Sequence, residues 1–144
     1  MGAFSVESVV TNLARQWTAR AIAEGYAWKV VSFVMGDLGH NPDQPTIALT
    51  PDPAITDCPG IVFGPKAVTG HTYPTPSCPV WQCDLLPLES VALISSICLI
   101  GQVQISPYVD DPALNTFFVA TYGTFPAEVK VDTKAESFLV AIRF

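Results

Sequence analysis

Nine of the thirteen prolines and five of the nine glycines fall between Gly36 and Pro79, in phrases such as PTIALTPDPAITDCPG and HTYPTPSCP. Proline fixes φ and has no amide proton, so this stretch is expected to form neither a helix nor a central strand. Ile47, Leu49, Ile55, Ile61, Val62, Phe63 and Tyr73 make it too apolar for a solvated linker. It therefore reads as a long extended arm, packed on its own domain or on a neighbour's.

The sequence on either side is more regular. Val6, Val9, Val10, Leu13, Trp17 and Ala21 recur at three- and four-residue spacing, which predicts one amphipathic helix over Ser5–Gly25. Ser5 is its expected cap, Glu7 sits in the first turn, Arg20 approaches the last, and Gly25 is the expected left-handed stop. WKVVSFVMG, rich in β-branched and aromatic residues, predicts a strand ending at Gly36.

After the arm, VWQCDLL alternates, with Trp81, Cys83 and Leu85 on one face. VALISSICLIGQV has the apolar, β-branched character of a central strand covered on both faces. SPYVDDP predicts a turn, NTFFVATYGTF a further strand, PAEVKVDTKAE a link, and SFLVAIRF a last strand alternating Phe138, Val140, Ile142 and Phe144 against the residues between.

The expected fold is α+β: one N-terminal helix packed on a mainly antiparallel sheet of about five strands, with the proline-rich extended arm. One domain is expected over 1–144, divided into helix and first strand (1–35), arm (36–79) and sheet (80–144).

The chain has a net charge of −6, and its seven basic residues are scattered, an arrangement that argues against nucleic acid and against an anionic membrane surface. The apolar run Val91–Val103 is short of the ~20 residues that span a bilayer, and the N-terminus lacks the pattern of a signal peptide. A soluble protein made in the cytoplasm is expected, with Cys58, Cys78, Cys83 and Cys98 as reduced thiols. Hydrophobic residues make up 49% of the chain and charged residues only 14%, so some apolar surface is expected to meet another chain.

Local chemistry is sparse. GDLGHNPDQP (Gly36–Pro45) offers Asp37, His40 and Asp43, but read as a calcium loop it places Gly39 at a ligand position and Pro42 where a glycine is required. It fits better as a turn where a strand leaves the core. A metal-dependent enzyme centred on those three residues is the third reading of the chain. For zinc, Cys78 and Cys83 with His71 and Cys58 upstream lack two short-spaced ligand pairs. No G-x-S-x-G elbow surrounds a serine, and paired acids for glycoside hydrolysis would have to come from Asp84, Glu89, Asp110 and Asp111. No catalytic residue, metal or cofactor is assigned.

Four pieces carry a resemblance: VVTNLAR, VVSFVMGDLGHNPDQP, LESVALISSICLIG and TFFVATYGTFPAEVKVDTKAESFLVAIRF. Together they resemble the N-terminal, baseplate-attaching domain of phage tail fibre proteins of the tail-collar type. The resemblance implies a structural virion protein of the tail, assembled in the host cytoplasm, that works through contacts with other tail, baseplate or fibre proteins. It also implies a homo-oligomer, with a trimer favoured. The 144 residues hold no coiled shaft, collar or receptor-binding tip, so an adaptor or fibre-attachment module is expected rather than a fibre. His40, Pro42, Pro45, Phe63, Tyr73 and Tyr108 are the expected interface residues. The runner-up is a lectin-like module that binds host glycan through exposed aromatics, with Tyr73 and Tyr108 the best placed.

Overall fold

The computed structural model describes residues 2–142. In chain order the elements are β1 (Gly2–Val10), α1 (Asn12–Glu24), β2 (Ala27–Gly36), β3 (His40–Asn41), β4 (Gln44–Ala48), β5 (Ile61–Ala67), β6 (Gly70–Thr75), β7 (Cys78–Leu85), β8 (Leu93–Ile105), β9 (Phe117–Val129) and β10 (Glu136–Ala141). Eight strands form one mixed sheet in the order β5-β2-β8-β9-β1-β10-β7-β6, and β3 and β4 form a separate hairpin. The expected α+β fold with about five strands is thus corrected to a mainly β fold with a single 13-residue helix.

The first correction lies at the N-terminus. Residues 2–10 are not the start of the helix but a strand with two partners: Gly2–Glu7 run parallel to β10, and Ser8–Val10 run antiparallel to β9. Three valines and two serines precede Thr11, a composition that suits a pleated, half-buried strand. Thr11, not Ser5, caps the helix. Its hydroxyl accepts from Ala14 N at 3.1 Å and donates to Val119 O at 2.6 Å. Gly25 does end the helix in the left-handed conformation, with φ of 91°. Glu7 lies in β1, and the last turn of the helix carries no basic residue.

The second correction concerns Gly36–Pro79, which is no single extended arm. It supplies β3, β4, β5 and β6, because the prolines within them occupy positions that need no ladder bond from the missing amide. Pro65 and Pro74 lie in β5 and β6, the two marginal strands of the large sheet.

The two margins meet. Val68 N donates to Val31 O at 3.3 Å beside β5, and the next residue, Thr69, donates its amide to Gln82 O at 2.9 Å beside β6. The chain therefore crosses from one margin to the other within two residues, and β1 crosses likewise between β9 and β10. With two strands changing partners at opposite corners, the sheet folds into two layers, β5-β2-β8-β9 and β10-β7-β6.

The main core fills the space between the layers. Phe33, Met35, Ile97, Leu99 and Val103 from one side meet Cys83, Leu85, Phe138, Val140 and Ile142 from the other. Each such side chain contributes about 1.5–3 kcal/mol on burial. Helix α1 adds Ala14, with Leu13 and Trp17 against the same core, and Trp17 stacks on Phe118 with ring centroids 6.1 Å apart. A smaller cluster of Val34, Cys58, Cys98, Val119 and Tyr122 is formed where the proline-rich segment folds back on its own sheet. The expected inward Phe144, with Arg143, lies outside the described residues.

Candidate functional site

Where the layers part, beyond Val31, the inner faces of β2 and of the β6–β7 hairpin leave a cleft of about 240 Å³. Its lining comprises Trp28, Lys29 and Val30 from β2, His71 and Tyr73 from β6, Trp81 from β7, and Ile142. The local geometry follows from pairing. Trp81 stands opposite His71 in the β6–β7 register, and Tyr73 follows His71 by two residues, so the three share one face. Their rings are in contact, His71 to Tyr73 at 5.5 Å edge-on and His71 to Trp81 at 6.4 Å. On the other wall Trp28 is fixed edge-on to Phe118 at 5.0 Å. Val30 and Ile142 are buried members of the main core.

Backbone groups border the same cleft. Ala27–Val30 pair with β8 but not with β5, whose register on β2 begins at Ser32. On its other side β6 is the last strand of the sheet. Two strand margins thus frame an aromatic opening, a common setting for ligands at the mouths of β structures.

A second feature is the distribution of exposed apolar side chains. Leu86, Leu88, Val91, Leu93, Val129 and Val131 are exposed together at one end of the β8–β9 pair, where Leu93 is registered with Val129. Ile105, Tyr108, Val109, Leu114 and Phe117 are exposed at the other end. β8 has 13 residues, so the two groups lie about 40 Å apart.

The expected interface residues do not come together. His40 lies in the β3–β4 hairpin with Nδ1 2.9 Å from Ser95 Oγ, which also accepts from Gly39 N at 2.8 Å, so this imidazole engages its own sheet. Pro42 and Pro45 are exposed on the same hairpin. Phe63 is half-buried against Phe33, with ring centroids 6.5 Å apart. Tyr73 is at the cleft, and Tyr108 is exposed but edge-on to Tyr26 at 6.1 Å.

The candidate acids are engaged locally. Tyr26 donates to Asp111 Oδ2 at 2.5 Å and accepts from Arg20 at 3.0 Å, while Ser106 donates to the same carboxylate. The hydrogen bond from Ser106, then that from Tyr26, holds the Asp111 carboxyl below the usual range. Burial works to raise Asp84, but hydrogen bonds from Ser137, Thr69 and Gln82 outweigh it and lower the carboxyl. Glu89 is lowered chiefly by its hydrogen bond with Lys66. These contacts tie loops to strands. Among the described residues no group of three or more His, Cys, Asp or Glu is placed to hold a metal ion, and no helix is long and apolar enough to cross a membrane.

The part played by Trp28 and Trp81 was not visible in the sequence. Trp81 read as an inward core residue, and it does point inward, but at the level where the layers separate. HTYPTPSCPVW can be read as a hairpin about Pro76 and Ser77, but a regular two-residue turn would set His71 opposite Gln82, and it is the register shift between Thr72 and Thr75 that brings His71 opposite Trp81.

No protein-family model, curated protein or solved structure matches this chain.

Proposed function

We propose that this chain is a structural subunit of a bacteriophage tail or baseplate, an adaptor or fibre-attachment module that acts through protein contacts. The observation that carries the reading is the pair of apolar groups at opposite ends of the β8–β9 pair. Val109 is 92% exposed and Leu88 80% exposed, each among other exposed apolar side chains. Large apolar patches on a soluble surface mark places where another protein docks. A part held between neighbours needs two of them, on surfaces that do not overlap. The resemblance of the four sequence pieces to tail-fibre attachment domains supplies the biological setting.

Light scattering on the purified chain, alone and mixed with tail or baseplate proteins, tests this. A defined homo-oligomer, with a trimer favoured, or a stable mixed complex is expected, and Leu88→Asp or Val109→Asp should weaken it without altering the fold. A strict monomer that ignores every tail protein overturns the reading.

A further inference from the structure

We infer that the cleft is a strand-acceptor site: an extended segment of a partner protein, apolar-acidic-apolar in pattern, pairs with the free margin of β2 and sets its apolar side chains between Trp28 and Trp81. This contact is separate from the two exposed apolar groups and does not depend on them.

The backbone makes the first selection. Val103 donates its amide to Thr116 O at 3.0 Å and accepts from Asn115 N at 2.8 Å, so both of its backbone groups turn toward the β9 side. Its register partner on β2 is Trp28. In an antiparallel ladder a pair with one member bonded outward exchanges no bonds, and the other member turns outward too. Trp28 therefore directs its N–H and C=O away from β8 into the open margin, and Val30 repeats the orientation two residues on. β5 occupies that side of β2 only from Ser32 onward, and among the described residues no other strand does. An added strand would continue the ladder that β5 makes on Ser32–Gly36. Its amides and carbonyls match the free groups of β2 as no small apolar molecule does.

The side chains make the second selection. Residues paired with Trp28 and Val30 share their inward face and enter the cleft against Trp81, Tyr73 and Ile142. The volume of about 240 Å³ lies below the ~300 Å³ at which pockets for drug-sized ligands begin, so it takes side chains from a strand and not a folded element. Contacts to Phe118 and to His71 hold the two indoles before the partner arrives, which reduces the ordering cost. Lys29, between Trp28 and Val30, turns to the outer face, where it is exposed and belongs to neither ion pair found among the described residues. The partner residue across from it also faces outward, and an acidic one gives the favourable cross-strand pair.

The test titrates the full chain with the peptide acetyl-Thr-Leu-Glu-Leu-Thr-amide and follows intrinsic fluorescence, since two of the three tryptophans line the cleft. A saturable change is expected with a Kd of about 1 mM or tighter. Peptide at ten times its Kd should slow hydrogen exchange at the Trp28 amide about ten-fold. N-methylation of both leucine nitrogens, which removes the donors facing β2, should abolish binding. Replacing the peptide's glutamate by lysine should weaken binding a few-fold in the parent, and Lys29→Met should erase that difference. Circular dichroism confirms that the variant is folded. The inference is overturned by no saturable response up to 10 mM peptide, roughly ten times the weakest expected Kd. It is also overturned by an unchanged Trp28 exchange rate, by equal binding of the N-methylated peptide, or by acetyl-leucinamide binding as well as the peptide, which marks a small-molecule pocket. A dimer in light scattering that the peptide dissociates assigns the margin to a second copy of this chain and overturns it likewise.

Discussion

The ammonium of Lys130 donates a hydrogen bond of 2.8 Å to the carbonyl oxygen of Pro87, 43 residues earlier in the chain. It also donates to Leu86 O at 3.1 Å and Val131 O at 3.0 Å, and the residue is fully buried. One cation thus joins the β7–β8 loop to the β9–β10 link, beneath the exposed apolar group at that end. Lys130→Met keeps most of the stem but leaves three part-buried hydrogen bonds without their donor, at about 1–3 kcal/mol for each carbonyl that water fails to reach. A loss of about 3 kcal/mol in chemical denaturation is expected.

Burial first, then the hydrogen bond and charge of Glu136, pushes the Glu128 carboxyl up to about 7 from its ordinary 4.5. The folded state therefore holds this proton more tightly than the unfolded chain. The resulting stability is fully present below about pH 4.5 and is lost as pH rises through 7. Glu128→Gln mimics the protonated form. Its melting temperature should exceed that of the parent at pH 8, and the gap should close by pH 5.

Thr11 closes one strand and starts the helix with a single buried hydroxyl. Thr11→Ala should cost about 1–2 kcal/mol, as the loss of a cap together with a bond to Val119. Thr11→Ser, which keeps the hydroxyl, should recover most of it in the same denaturation series.

Among the four thiols, Cys58, Cys83 and Cys98 are buried and Cys78 is half-buried. Burial raises Cys83 and Cys98 far above the ordinary thiol range and so removes the reactive thiolate. Alkylation of the folded protein should show one faster thiol, absent in Cys78→Ser, with the others reacting only on unfolding.

Local pattern was informative wherever partners lie close in sequence or both faces of a strand are buried. β2, β7, β8 and the Gly25 stop could all be read from periodicity and composition. The N-terminus could not, because β1 serves two layers. Val6 and Val10 face the main core and Val9 the outer cluster, as strand alternation requires, but because both faces are apolar the same valines also fall at helical spacing. Its main partner, β10, lies at the other end of the described chain. The prolines misled in a different way: they rule out interior strands, yet β5 and β6 are marginal ones. GDLGHNPDQP was legible as a strand exit. That Gly39 lies so close to the Ser95 backbone that a Cβ would collide with it was not, since that depends on β8. The cleft was the least legible, being made by two hairpin strands and one distant strand that meet only after the sheet folds over.

The pairing of β1 with β10 also orders events in time. A nascent chain that has not reached Glu136 already contains all of β8, its most apolar strand, yet lacks the strand that joins β1 to β7 and completes the opposite layer. Closure is therefore late and long-range, which makes folding slow for a chain of this size and leaves aggregation to compete with it until the last strand emerges.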